Sequence, residues 1–262
     1  MQFSDQILNS IEIPFPPKKI ISLVPSQTEL LYDLGLENNI IGITKFCIHP
    51  KHLKKTKQII GGTKNLNLEK IKQLKPDLII ANKEENEFAQ IEELKKEFPV
   101  FVSDVNTLDS AFEMIRLIGL MTDTSNKAEN LIHTINSSRA ELSFTPLRSC
   151  IYLIWKDPYL TIGGDTFINA MLKEAGFENC YSSDLRYPET DFDQILAKSP
   201  DFLFLSSEPY PFNENHEQEF QKILTKTRVY CVDGEMFSWY GSRMQHAFPY
   251  FKTLQTLISP QI

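Results

Sequence analysis

Short runs of β-branched and aliphatic residues alternate with stretches of helical spacing along almost the whole chain. The first run, Lys19-Ile20-Ile21-Ser22-Leu23-Val24, is closed by Pro25; Ser26-Gln27-Thr28-Glu29 then leads into Leu30-Leu31-Tyr32-Asp33-Leu34, with Gly35 as the stop. That order predicts a strand, a turn and a capped helix. Ile40 to Thr44, Leu78 to Ala81 and Val100 to Val102 repeat the short apolar run, separated by helical patterns. Strands that are apolar at consecutive positions and joined through helices form parallel sheets covered on both faces.

From Thr107 to Met121 the residues Leu108, Ala111, Phe112, Ile115 and Ile118 keep helical spacing. After Thr122-Asp123-Thr124-Ser125 a second set, Ala128, Leu131, Ile132, Ile135 and Leu142, does the same until Pro146. A continuous helix from Ser125 to Leu142 would reach roughly 27 Å, enough to bridge two lobes. Past Pro146 the alternation restarts, with strands over Cys150 to Trp155, Phe202 to Leu205 and Val229 to Val232. Helices are predicted over Thr166 to Ala175, ended by Gly176, and over Met244 to Ile258. The fold class is therefore α/β, with two lobes, each a mainly parallel sheet with flanking helices, joined by one long interlobe helix. The boundaries fall at 1–105 for the first lobe, 106–145 for the connecting helices and 146–262 for the second lobe.

The two halves echo one another. Leu68-Glu69-Lys70-Ile71-Lys72-Gln73-Leu74-Lys75-Pro76-Asp77-Leu78-Ile79-Ile80 lines up without a gap on Phe192-Asp193-Gln194-Ile195-Leu196-Ala197-Lys198-Ser199-Pro200-Asp201-Phe202-Leu203-Phe204. Helix, Pro-Asp turn and strand recur, as internal duplication or chance likeness of two similar units would produce. The same offset sets Glu84 opposite Glu208, each just past its strand.

Composition narrows the function. At 262 residues the chain suits two lobes of roughly a hundred residues each. Its formal charge of −7, from 27 Lys and Arg against 34 Asp and Glu, argues against a nucleic-acid partner, which requires a net basic face. The average hydrophobic content argues against a membrane-embedded chain. Met1 to Pro17 has no cationic start followed by an apolar run, so a cytoplasmic protein is expected. Cys47, Cys150, Cys180 and Cys231 form no Cys-x-x-Cys pair and are read as small buried hydrophobes.

No catalytic residue is nominated, because the chain has no Gly-x-Ser-x-Gly, phosphate loop, His-Glu-x-x-His or Gly-x-Gly-x-x-Gly signature. No metal site is predicted either: Cys47, His49 and His52 lie close in sequence, but Pro50 interrupts them and no further ligand is identifiable. Segments after strand ends are more informative, since open α/β sheets bind ligands there. Pro25, Ser26, Gln27 and Thr28 could offer backbone N–H groups, with plain helix capping as the alternative. Lys45, Phe46, Lys83 and Trp155 occupy equivalent places. Phe237, Trp239, Tyr240 and Arg243 combine aromatic surface with a cation, or else plug the core.

Taken in order, Ile20-Ile21-Ser22-Leu23-Val24-Pro25-Ser26-Gln27-Thr28-Glu29-Leu30-Leu31, Gly62-Thr63 with Leu68-Glu69-Lys70-Ile71, Leu74-Lys75-Pro76-Asp77-Leu78-Ile79, Gly164-Asp165-Thr166-Phe167-Ile168-Asn169 and Ser199-Pro200-Asp201 resemble one family. It is that of the helical-backbone periplasmic binding proteins, which deliver cobalamin, ferric siderophores and haem to ABC importers. General similarity is greatest to its cobalamin-binding branch. The resemblance implies two α/β lobes joined by a long helix, a shallow cleft, and a monomer that binds a metal chelate and docks on an ABC permease. Because an organic ligand already fills the metal's coordination, the site needs aromatics and a few polar groups, and no resident cofactor. Docking in the family uses a glutamate on each lobe; Glu84, Glu85 or Glu87 and Glu208 are the counterparts here, exposed and unpaired if they serve that role. The missing signal segment and lipoprotein cysteine leave two readings, a trimmed extracytoplasmic protein or a cytoplasmic carrier or sensor. A chelate-processing enzyme, and an interaction protein that binds nothing small, are the remaining alternatives.

Overall fold

The computed structural model describes residues 1–144 and 146–258. An N-terminal antiparallel hairpin, β1 (Gln2–Ser4) and β2 (Ser10–Glu12), opens the chain. There follow β3 (Ile20–Ser22), α1 (Pro25–Asp33), β4 (Ile40–Ile43), α2 (Leu53–Thr56), β5 (Gln58–Ile59), α3 (Leu68–Leu74), β6 (Leu78–Asn82), α4 (Phe88–Lys95) and β7 (Val100–Ser103). Helices α5 (Leu108–Met121) and α6 (Ser125–Ala140) come next. Strands β3 to β7 form a parallel sheet in the order β5-β4-β3-β6-β7.

The second half comprises β8 (Arg148–Leu153), β9 (Tyr159–Leu160), α7 (Phe167–Glu174), β10 (Phe177–Asn179), β11 (Glu189–Thr190), α8 (Phe192–Lys198), β12 (Phe202–Ser206), α9 (Glu214–Ile223), β13 (Arg228–Val232), α10 (Glu235–Ser238) and α11 (Met244–Ile258). Its main sheet is parallel, in the order β10-β8-β12-β13, while β9 and β11 pair antiparallel beside it.

The described residues group into two compact units. One holds Met1–Val105, Asp109–Thr134 and the short return Tyr240–Arg243; the other holds Asn106–Leu108, Ile135–Trp239 and the residues from Met244 on. The division falls inside α6, the helix predicted to join the lobes. That helix stops at Ala140, short of Leu142, and Asp109–Thr134, drawn above into a connecting segment, packs within the first unit. The apolar runs read correctly as doubly covered strands. In the first unit Ile21, Leu23, Ile79, Ala81, Val100 and Val102 pack under Ile71, Ile91 and Leu94, while their alternating neighbours Ile20, Ile80 and Phe101 are equally buried. In the second, Ile151, Leu153, Leu203, Leu205 and Val229 pack under Ile195, Phe220 and Leu224, with Tyr152, Phe202 and Phe204 buried on the other face.

The internal echo holds at the level of single hydrogen bonds. Asn67 caps α3 by accepting from Lys70 N, and Asp191 caps α8 by accepting from Gln194 N. Both helices end in a left-handed residue, Lys75 (φ 47°) and Ser199 (φ 45°), ahead of the Pro-Asp turn. Asp77 Oδ2 then accepts Lys18 N at 2.9 Å and Lys19 N at 3.0 Å, whereas Asp201 Oδ2 accepts Ser149 N and Ser149 Oγ, both at 2.8 Å. Each aspartate thereby ties its turn to the start of the neighbouring strand, β3 or β8, with which the following strand pairs. The sheet orders β4-β3-β6-β7 and β10-β8-β12-β13 correspond strand for strand.

Replacing Asp77 or Asp201 with alanine removes two bonds to a charged acceptor. Each substitution is expected to cost about 1–3 kcal/mol in urea unfolding; a loss below about 0.5 kcal/mol for both, the level of a neutral surface change, would show that these turns are not tied as described.

Candidate functional site

In a parallel sheet all strands end at the same edge, and each unit gathers its candidate residues there. In the first unit β4 runs out into Lys45 and Phe46. Phe46 is 50% exposed, with Lys45 Nζ 5.0 Å from its ring centroid. Gly62 lies beneath them; a Cβ there would come within 3.1 Å of the Phe46 ring and 3.3 Å of Lys45 Cε. Beyond β6, Asn82 Oδ1 accepts Glu84 N and Glu85 N, while Asn86 donates to Leu23 O and Thr63 O, so the acidic loop is held by buried amides. Within it Lys83 pairs with Asp104 at 2.6 Å, Glu84 and Glu85 are half-buried and Glu87 is exposed. Lys83 therefore already has a carboxylate partner at this rim.

The segment Pro25 to Thr28, expected to be a ligand-facing turn, is the first turn of α1. Val24 occupies the cap position without a side-chain bond and Pro25 sits at the helix start, where its fixed φ is favourable. Gln27 and Thr28 are corrections: both are fully buried. Gln27 Nε2 donates to Ser103 Oγ at 2.5 Å; Thr28 Oγ1 donates to Ser22 Oγ and lies 3.1 Å from Cys47 Sγ. These side chains hold the strand ends together and offer nothing outward. Ser26 is buried as well. Cys47 faces Thr28 and Thr44 and burial pushes its thiol up, while His52 bonds Glu37 at 2.7 Å, so these two members of the Cys47, His49, His52 trio take separate partners.

The return segment Tyr240–Arg243 belongs to the first unit. Tyr240 is 6% exposed, and burial, reinforced by Glu85 and Glu84, holds its phenol well above the usual range against the opposing hydroxyls of Ser26 and Ser103. Gly241 (φ 106°) brings this backbone against α1, where a Cβ would sit 3.4 Å from Leu30 Cβ and Ser26 O. Arg243 was expected to be a cation offered to ligand. Instead its Nε and Nη2 clamp the Glu29 carboxylate at 3.0 and 2.5 Å, with both side chains largely buried. The charge that drew attention to Arg243 is consumed by a glutamate more than two hundred positions earlier, a pairing with no local signal.

In the second unit β8 delivers Trp155, 40% exposed and packed edge-on against Tyr210 at 5.9 Å. Phe237 is a further correction: it is fully buried against Tyr152 and Phe251 and belongs to the core. Trp239, 8% exposed, donates through Nε1 to Glu208 Oε1 at 2.9 Å, and Ser238 Oγ donates to the same oxygen at 2.5 Å. Glu208, expected to be exposed and unpaired for docking, is instead held and largely desolvated. Its carboxyl is pushed above the ordinary range by burial and by Glu235 and Asp233, against the two hydrogen bonds. Ser238 and Gly234, which position it, lie in the same segment after β13 as the aromatic candidates, but no separate role was assigned to them from the sequence. At the opposite, amino edge an open depression bordered by Asn136, Arg139, Phe144 and Glu174 has its guanidinium held bidentately by Glu174. Among the described residues no His, Cys, Asp or Glu group could hold a metal ion, and no helix is long and apolar enough to cross a membrane.

Residues 20–230 match the family model described as periplasmic binding protein. The chain belongs to the periplasmic binding protein family. Among its relatives, an uncharacterized ABC transporter substrate-binding lipoprotein of Bacillus subtilis is 28% identical over 249 residues, covering 89% of this chain and 78% of that one. The vitamin B12-binding protein of Vibrio vulnificus is 28% identical over 206 residues, covering 76% and 74%. In three dimensions, the periplasmic vitamin B12-binding protein of Vibrio cholerae superposes with a TM-score of 0.82 at 23% identity, covering 95% of this chain and 100% of the other. The α/β fold described above is thus shared with that solved periplasmic binding protein.

The Glu29–Arg243 clamp gives a signed prediction. Burial raises the folded-state pKa of Glu29, and Arg243 is the main opposing influence, with His49 lowering it further and Asp33 raising it. Arg243→Met strands a buried carboxylate and should cost about 3 kcal/mol at neutral pH. The folded state then binds the Glu29 proton more tightly than the unfolded chain. The penalty should accordingly shrink as pH falls from neutrality toward the ordinary carboxylate range. Urea unfolding of both proteins across that range checks it; a pH-independent penalty would show that the pair is not coupled to protonation.

Proposed function

We propose that this protein is the substrate-binding component of an ABC-type uptake system, that its cargo is a metal chelate, and that a corrinoid such as cobalamin fits better than a ferric siderophore or haem. The observation that carries the reading is the pair of exposed aromatics, Phe46 and Trp155, that each unit sets at the carboxyl edge of its own sheet within a fold belonging to the periplasmic binding proteins. A bulky, coordinatively saturated chelate is recognised largely through apolar faces, and each edge presents one. Relatives named for vitamin B12 binding favour the corrinoid, and the relative named as an ABC transporter lipoprotein favours a permease as the macromolecular partner. By the same kinship it works outside the cytoplasmic membrane. The chelate is cargo: it binds and leaves unchanged, with no catalytic residue and no resident cofactor involved. On the permease side, the exposed Glu87 and its half-buried neighbours Glu84 and Glu85 remain the docking candidates of the first unit. Glu208, the candidate of the second unit, is tied through Oε1 to Ser238 and Trp239.

Titration of the purified chain with cyanocobalamin, cobinamide, haem and a ferric siderophore, followed by absorbance, should show one-to-one binding, with the ligand recovered intact. Trp155→Ala should weaken binding of the preferred chelate by about 1–3 kcal/mol, as expected for an aromatic anchor. Unchanged affinity in that folded variant would show that Trp155 takes no part in binding.

A further inference from the structure

Glu208 combines features that neither an exposed surface glutamate nor a structural carboxylate requires. Its Oε1 is fixed by two donors, Ser238 Oγ at 2.5 Å and Trp239 Nε1 at 2.9 Å. Its stem is seated against Gly234, where a Cβ would fall 2.6 Å from Glu208 Cγ, so the neighbouring backbone has been kept bare to admit it. The loop beneath is fixed in turn, since Ser206 Oγ donates to Glu208 O and accepts from Tyr152 OH, and Gly234 N donates to Ser207 Oγ. Yet Oε2 accepts no hydrogen bond from the described residues, and it is not among the polar atoms sealed from solvent. Desolvating a carboxylate is costly, and here the cost is met on one oxygen only. Such an arrangement holds the other oxygen in a fixed direction, the requirement of a recognition group built on rigid elements.

The surroundings define what that oxygen can accept. Asp233 and Glu235 lie close enough to act on the Glu208 carboxyl, and both are negative. Trp155 and Tyr210 emerge from the carboxyl ends of β8 and β12, the strand pair that also carries Glu208. An apolar face beside a negatively charged acceptor suits a ligand whose rim carries N–H donors and repels one whose rim carries carboxylates.

We propose that Glu208 is a ligand-selecting residue, whose Oε2 accepts a hydrogen bond from an N–H group on the chelate periphery, so that carboxamide-bearing corrinoids are taken in preference to propionate-bearing haem. This rests on the reading of the chain as a chelate-binding protein. A site built around a hydrogen bond discriminates strongly, because an analogue lacking the donor leaves the acceptor desolvated and unpaired.

The test uses the whole chain and two probes, dicyanocobinamide, which carries peripheral carboxamides without the nucleotide phosphate, and ferric haem. The wild-type protein should bind cobinamide at least about tenfold more tightly than haem, and the isosteric Glu208→Gln should narrow that ratio by about tenfold, weakening cobinamide and strengthening haem. A wild-type preference for haem, or an unchanged ratio in the folded variant, overturns the selecting role while leaving chelate binding standing. Binding of neither probe, nor of cyanocobalamin or a ferric siderophore, overturns the chelate reading and this proposal with it. Should Glu208→Gln fail to fold, Ser238→Ala keeps the carboxylate and removes one anchor. Cobinamide affinity should then fall severalfold with haem affinity unmoved, and equal effects on both probes would overturn the proposal.

Discussion

A parallel sheet buried on both faces can be continued only by carrying the chain back through a helix after each strand, and this requirement orders everything else in the protein. It forces Ser22, Ile43, Asn82 and Ser103 in one unit, and Leu153, Ser206 and Val232 in the other, to end their strands at a common edge. That edge is where the backbone stops being satisfied by the ladder, so polar side chains gather there to complete it. Asn82, Asn86, Ser103 and Gln27 do so in the first unit, Ser206 and Ser207 in the second. Side chains left over from this task, Phe46 and Trp155 above all, are the ones free to meet something else.

This division of labour explains which parts of the molecule were legible in the sequence. Elements whose signal is local were read well: α11 was bounded at Met244 and Ile258, Gly176 stops the helix over Phe167–Glu174, and the Pro-Asp turns mark equivalent points of the two units. The echo between the two units was visible because helix caps, turn and strand are all encoded within about fifteen residues. The hairpin Gln2–Ser4 with Ser10–Glu12 escaped notice because two three-residue strands carry too little periodicity to register.

At the site the limit was of another kind. Residue type and position after a strand end identify a neighbourhood, but they do not say whether a side chain turns in or out. Gln27, Thr28 and Phe237 satisfy the pattern and point inward; Trp155 satisfies it and remains exposed. Arg243 and Glu208 show the same limit for charges. Each looked available because its partner lies far along the chain, at Glu29 in one case and at Ser238 and Trp239 in the other. Long-range pairing of this sort is decided by topology, which a single sequence states only indirectly.

The return of Tyr240–Arg243 to the first unit bears on how the chain can be divided. A fragment that stops at Thr134 keeps every strand of the first unit's sheet, yet it lacks Tyr240 and leaves the Glu29 carboxylate without its guanidinium. No single cut therefore separates the two units, because four residues that follow the second unit's sheet along the chain belong to the first.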